Sequence, residues 1–255
     1  MHHAPARPVL LVVAHGSRDP RHAASVHALV ERVREQRPGL RVETAFLDFN
    51  LPTVDGVLES LAAEGVKDVV AQPLLLTRAF HAKADIPAVL CRAPARLRVT
   101  AAEVLGPDPL LLAALERRLH EAGLTPADRS ATGVVLASAG STDPEAIAVI
   151  AEIARELRHT GWCAVRPAFA SAASPGGFPR TEDAVRELRA AGCERVAVAP
   201  YVLAPGRLPD RIAAGAASAG ADVLAGVLGP SPEVARVLLA RYDAARFPAA
   251  TALGA

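Results

Sequence analysis

The first half of this 255-residue chain is written again in the second half. Ala14-His15-Gly16-Ser17-Arg18-Asp19-Pro20 returns as Ser138-Ala139-Gly140-Ser141-Thr142-Asp143-Pro144, an offset of 124 between residues 15 and 139. Leu105-Gly106-Pro107-Asp108-Pro109 returns as Leu228-Gly229-Pro230-Ser231-Pro232 at an offset of 123, and Gln72-Pro73-Leu74-Leu75-Leu76 as Ala199-Pro200-Tyr201-Val202-Leu203 at 127. A period this long exceeds that of solenoid repeats, so each copy is expected to be a whole domain. The expected division is a first lobe over 1–123, a polar linker over 124–132 containing Pro126, a second lobe over 133–246 and an Ala-rich, frayed tail over 247–255.

Within a copy the punctuation predicts alternating strands and helices. Val9–Ala14 is a short apolar run suited to a strand buried on both faces. Pro20 opens a helix with Val26, Val30 and Val33 on one face, stopped at Pro38-Gly39. Arg41–Phe49 reads as a second strand, and Thr53 caps a helix carrying Val54, Val57, Leu58 and Leu61, closed by Gly65. Asp68–Leu76 is a third strand, Ile86–Cys91 a short helix and Leu97–Leu105 a fourth strand. Asp108-Pro109 then opens a helix with Leu111, Leu112, Leu115 and Leu119. The pattern is α/β, with each lobe a four-stranded parallel sheet carrying helices on both faces.

Composition narrows the function. Lys plus Arg number 28 against 27 Asp plus Glu, a net charge of +1 that gives no reason to expect nucleic acid or a membrane surface as partner. Hydrophobic residues make up 51%, enough for a real core, and aromatics only 4%, so that core is Ala, Val and Leu. The first residues lack the layout of a signal peptide. Cys91, Cys163 and Cys193, an odd number with no C-x-x-C spacing, read as ordinary buried thiols in a reducing compartment. A cytoplasmic protein is expected.

The copies differ where chemistry is possible. His15 aligns with Ala139, and Phe80-His81 with Arg207-Leu208, so the second copy lacks both histidines. In a doubly wound sheet ligands bind at the carboxyl ends of the strands, near the point where strand order reverses. His15 follows the first strand, Asp48 ends the second, and His81 lies in the loop after the third. Two imidazoles and a carboxylate suit a divalent first-row metal such as Fe, Co, Ni or Zn and leave coordination positions open. Asp48 also has a plainer reading, as a cap for the helix that follows. His22 and His27 on a helix, His120 and His159 near helix ends, and His2 and His3 are expected to be solvated. Gly16 allows backbone to approach a bulky flat ligand, while no phosphate-loop motif supports a nucleotide. Arg18, Arg21, Arg78 and Lys83 from the first half, with Arg207 and Arg211 from the second, are candidates for gripping carboxylates.

Ala14-His15-Gly16-Ser17-Arg18, Phe46-Leu47-Asp48-Phe49 and Pro73-Leu74-Leu75-Leu76 leading to His81-Ala82-Lys83-Ala84-Asp85-Ile86-Pro87 together resemble the class II tetrapyrrole chelatases. Within these the chain is similar to the long, tandem-duplicated sirohydrochlorin cobaltochelatases and ferrochelatases. The resemblance implies two flavodoxin-like, chelatase-like lobes and metal-handling roles for His15 and His81. Asp48 stands where bacterial relatives usually carry Glu, one methylene longer.

The expected reaction is ATP-independent insertion of Co²⁺ or Fe²⁺, with Ni²⁺ also open, into sirohydrochlorin, for siroheme or cobalamin. His15, His81 and Asp48 would handle metal and protons. Gly16, Ser17, Arg18, Arg78, Lys83 and Arg207 would hold the tetrapyrrole in a cleft that a monomer forms from its two lobes. The rivals are a non-catalytic carrier or sensor of Co, Ni or Fe and a histidine phosphatase, which would want Arg where Ala14 stands.

Overall fold

Among the described residues, eight strands pair in two separate parallel sheets. The computed structural model describes residues 7–78, 85–171 and 179–246. The first sheet has the order β2-β1-β3-β4, with β1 at Val9–Ala14, β2 at Val42–Phe46, β3 at Asp68–Pro73 and β4 at Arg98–Ala101. The second has the order β6-β5-β7-β8, with β5 at Thr132–Ser138, β6 at Ala164–Phe169, β7 at Arg195–Tyr201 and β8 at Val223–Leu224. The repeat read from the sequence is thus a repeat of topology.

In the first sheet every residue of β1 is buried. Val9, Leu11 and Val13 pack with Val54, Leu58 and Leu61 of α2 (Val54–Ala63) and with Ile86 of α3 (Ile86–Leu90). Leu10 and Val12 alternate to the opposite face and are fully buried there. The neighbouring helix α1 (Pro20–Gln36) buries Val26, Leu29, Val30 and Val33, the stripe that the sequence spacing predicts with Leu29 added. In the second sheet Val135 and Ala137 of β5 meet Ala184, Val185 and Leu188 of α6 (Thr181–Ala190) and Ile212 and Ala216 of α7 (Arg207–Ser218).

The helix starts are set by local chemistry repeated in both sheets. Asp19 accepts from the Arg21 N–H ahead of α1, and Asp143 accepts from the Glu145 N–H ahead of α5 (Pro144–His159), each with proline as first helical residue. The Ser17 hydroxyl accepts from the Asp19 N–H at 3.1 Å, and the Ser141 hydroxyl from the Asp143 N–H at 3.0 Å. The shared G-S-x-D-P run is therefore a capping device.

Compactness divides the chain differently from the sequence repeat. One unit takes residues up to Gly106 together with those from Ala235 on; the other takes Pro107–Val234. Within the first unit, Tyr242 of α8 (Pro232–Arg246) donates to Pro8 O at 2.7 Å, and Arg241 donates to Val104 O and Leu105 O. Asp243 there receives a two-pronged contact from Arg37, 2.7 Å for each bond. Within the second unit, Arg117 of α4 (Pro109–Glu121) pairs with the buried Glu233, and Arg118 donates to Leu228 O. Each sheet is thus completed by the last helix of the other copy.

Three strands end earlier than the apolar runs that announce them. The run 41–49 is regular strand only to Phe46, because Asp48, Phe49 and Asn50 form a tight turn in which the Asn50 N–H returns to Asp48 O at 2.8 Å. β3 stops at Pro73 and β4 at Ala101. No helix among the described residues is long and apolar enough to cross a membrane.

Candidate metal and macrocycle site

With β1 between β2 and β3, the first sheet reverses its strand order at β1, and the loops leaving β1 and β2 emerge side by side. The ladder continues past the strands: Leu47 N–H donates to Ala14 O and Asp48 N–H to His15 O, each at 2.9 Å. His15 and Asp48 are therefore held at the carboxyl ends of adjacent strands through their backbones, and both side chains are exposed.

Gly16 makes this closeness possible. Its φ is +94°, and a Cβ there would lie 1.8 Å from Asp48 O and 3.2 Å from the Asn50 side-chain oxygen. Asn50 in turn accepts from the Ser17 N–H at 2.8 Å, tying the loop after β1 to the loop after β2. The sequence reading has Gly16 letting backbone approach a bulky flat ligand; in the structure what lies against Gly16 is the protein's own Asp48 carbonyl.

The His15 ring places Nδ1 3.3 Å from Gly16 O, a long contact. An exposed imidazole at this place offers a ring nitrogen that can serve a metal ion or take up a proton. The Asp48 carboxylate accepts from the Phe49 N–H at 2.8 Å.

Phe49 is a residue the sequence reading passed over. It is the non-glycine residue with positive φ among those described, at +62°, a left-handed conformation costly for a side chain of its size. It is also 50% exposed, beside Leu51 at 80%. Its ring lies 6.4 Å from that of His15, and the Arg18 guanidinium sits over it at 5.1 Å. An exposed aromatic in strained backbone next to an imidazole forms an apolar ledge beside a polar centre.

His22 is a second miss. It is half-buried on α1, and its buried Nδ1 has no hydrogen-bond partner. Burial first, and the nearby His15 second, hold its pKa below the usual histidine value. The expectation of a solvated His22 is corrected: the first turn of α1 turns this imidazole inward.

The other candidates fall as follows. Arg21 is committed to Asp19 of the α1 cap, and Arg78 to Glu103 beyond β4. Arg207 is the exposed first residue of α7 in the second unit. His81 and Lys83 lie outside the described residues. Among the described residues no group of three or more His, Cys, Asp or Glu could hold a metal ion; the described pair is His15 and Asp48.

The second sheet supplies an internal control. Ala170 N–H donates to Ser138 O and Ser171 N–H to Ala139 O at 2.9 and 3.0 Å, the same ladder extension. Ala139 and Ser171 thus occupy the places of His15 and Asp48. The second copy keeps the frame and lacks both functional groups.

The CbiX family model matches residues 9–122 and again 133–245. The chain is 29% identical over 211 residues to a sirohydrochlorin cobaltochelatase of Priestia megaterium, covering 80% of this chain and 66% of that protein. It is 30% identical over 207 residues to a sirohydrochlorin ferrochelatase of the same organism, covering 80% and 76%. Among solved structures, SirB from Bacillus subtilis with Fe³⁺ matches with a TM-score of 0.81 at 26% identity, over 94% of this chain and 96% of that one. A CbiX described as the terminal enzyme of siroheme biosynthesis in denitrifying bacteria shares the fold, with a TM-score of 0.68 at 23% identity over 93% and 99%. Matched once in each half by the same family model, the chain belongs to the CbiX family as a tandem form with one depleted copy.

Proposed function

We propose that this protein inserts Co²⁺ or Fe²⁺ into sirohydrochlorin without a nucleotide, acting as a monomer in the cytoplasm. The observation that carries the reading is His15: an exposed strand-end imidazole beside Asp48 and an exposed aromatic ledge, replaced by Ala139 in the other copy. The curated relatives that this chain resembles in Priestia megaterium and Bacillus subtilis are sirohydrochlorin chelatases.

The reaction exchanges one M²⁺ for two pyrrole N–H protons, so the site must offer a metal donor and proton acceptors on one side of a flat ring. Imidazole does both near neutral pH. In this proposal the His15 imidazole delivers the ion or accepts a proton, His81 serves as its partner, and Asp48 balances the charge that passes through. Phe49 and Leu51 give the macrocycle an apolar surface to lie on, with Arg18 beside them. Gly16 and Ser17 shape the loop, while Arg78, Lys83 and Arg207 are candidates for the substrate's carboxylates.

The test is anaerobic mixing of sirohydrochlorin with Co²⁺ or Fe²⁺, followed by absorbance. His15→Ala and His81→Ala are each expected to slow insertion by about 10²-fold or more, the range for losing a proton-transfer group. Metal binding by the wild type with no acceleration of insertion would instead mark a carrier, and unchanged rates in both variants would defeat the assignment.

A further inference from the structure

The second unit contains a cavity of about 410 Å³ at the carboxyl end of β6, between α6 and α7. It is lined by Phe169, Ala170 and Gly215 together with Arg180, Arg211 and Glu182. We propose that this cavity is a carboxylate-binding site, taking a short aliphatic arm that ends in one carboxylate. The inference rests in part on the chelatase reading, since a tetrapyrrole bearing such arms is the ligand it would best serve.

Charge and geometry both point this way. Two guanidinium groups against one carboxylate leave a single net positive charge at the cavity, the complement of one anionic group. Arg211 is pinned by a 3.0 Å bond from Nη1 to Ala170 O, which fixes the guanidinium at the cavity wall and leaves its other N–H groups to grip a ligand. Arg180 touches Glu182 only loosely, at 3.9 Å, so its fork is not consumed by that carboxylate. Gly215 sits where α7 approaches the start of α6: a Cβ there would lie 3.1 Å from Thr181 Cβ and 3.4 Å from Glu182 N. The volume falls within the range of small-molecule pockets, and the apolar residues of the lining suit methylene groups.

The comparison of the two copies supports a gained function. Phe46 N–H donates to Pro52 O in the first copy and Phe169 N–H to Pro179 O in the second, so Arg180 stands where Thr53 stands. Thr53 caps α2 by accepting from the Gly56 N–H, whereas Arg180 gives α6 no side-chain cap. The second copy has a cation at the cavity in place of a capping hydroxyl, while dropping the histidine and aspartate of the first.

The experiment uses the full chain and two probes, metal-free sirohydrochlorin followed by absorbance and succinate followed by calorimetry. Arg211→Gln and Ala214→Glu are the variants, the second placing a negative charge at an exposed helix position where folding is not at stake. If the arm belongs to the tetrapyrrole, both variants weaken sirohydrochlorin binding about tenfold, consistent with loss of one charge-assisted contact, and leave Co²⁺ binding unchanged. If the site serves a free acid, succinate binds the wild type and both variants lose it, with sirohydrochlorin unaffected. Both probes binding wild type and variants alike, or succinate failing to bind while sirohydrochlorin binding stays unchanged in the variants, overturns the proposal. A wild type that ignores sirohydrochlorin yet binds succinate in an Arg211-dependent way would remove the chelatase reading and keep this site.

Discussion

The Asp48 N–H donates to the His15 carbonyl at 2.9 Å, while the carbonyl of the same Asp48 lies over the Gly16 Cα. Two groups 33 residues apart in sequence are thereby locked into one turn at the carboxyl end of the sheet, with their side chains left outside it. The backbone does the positioning, and that is why the second copy can lose the side chains and keep the turn.

Gly16→Ala is the direct test of this lock. A left-handed φ costs an L-residue about 1–2 kcal/mol, and the Cβ would also strike Asp48 O. With about 2–4 °C of melting temperature per kcal/mol for a domain of this size, a drop of roughly 2–8 °C is expected from the strain alone, with insertion slowed about tenfold or more. Gly140→Ala, at φ +98° in the second copy, pays the same backbone strain without touching His15. Thermal melts and initial rates of the two variants separate the effects: both melt early, and the first alone loses rate.

Phe49 holds an unfavourable conformation in an exposed place, so its gain is expected to lie in ligand binding. Phe49→Gly removes the left-handed penalty and is expected to melt at the same temperature or a few degrees higher. The same change takes away the ledge, so KM for sirohydrochlorin should rise several-fold with kcat little changed. A lower melting temperature together with an unaltered KM would show the ring to be a packing residue.

These contrasts mark what a sequence can reveal. The repeat, the Asp19 and Asp143 caps and the strand-end place of His15 are local signals, and all were legible. Asn50 was not, because its role is to accept an N–H from a loop 33 residues away. Phe49 reads as one more strand residue until the turn at Asp48–Asn50 is seen to end β2 early. His22 lies on a helix whose inward direction depends on packing, so its burial had no local mark. The exchange of α4 and α8 between sheets escapes for a similar reason: both copies carry the same helix pattern, and only tertiary contacts such as Tyr242 to Pro8 show which sheet each completes.

The inward turn of His22 has a consequence for pH. Its folded-state pKa is depressed below the ordinary 6.5, chiefly by burial, so the fold favours the neutral ring. A group of that kind leaves stability intact above its unfolded value and removes it as pH falls through that value toward the folded one. Urea midpoints should therefore decline modestly between pH 7 and 5, the effect being limited because the ring is only half-buried. His22→Leu should flatten that part of the profile; an identical acid slope in both proteins would assign the decline to other groups.

The three thiols should differ in reactivity. Against the expectation of three buried thiols, Cys91 is exposed and Cys163 and Cys193 are partly buried, the Cys163 thiol donating to Cys193 Sγ at 3.5 Å. Burial first, and that contact second, raise Cys163 to about 11. Against an ordinary thiol near 8.5, its thiolate fraction at pH 8 is smaller by about two orders of magnitude. Cys193 Sγ fills the space over Gly133, where a Cβ would come within 2.7 Å, so β5 leaves room for the pair only because it carries glycine there. Iodoacetamide labelling at pH 8, read by peptide mass, should modify Cys91 within minutes and Cys163 roughly a hundredfold more slowly. Gly133→Ala should displace Cys193, break the sulfur contact and speed labelling of Cys163, whereas equal rates at Cys91 and Cys163 in the wild type would mean that the pair is open to solvent.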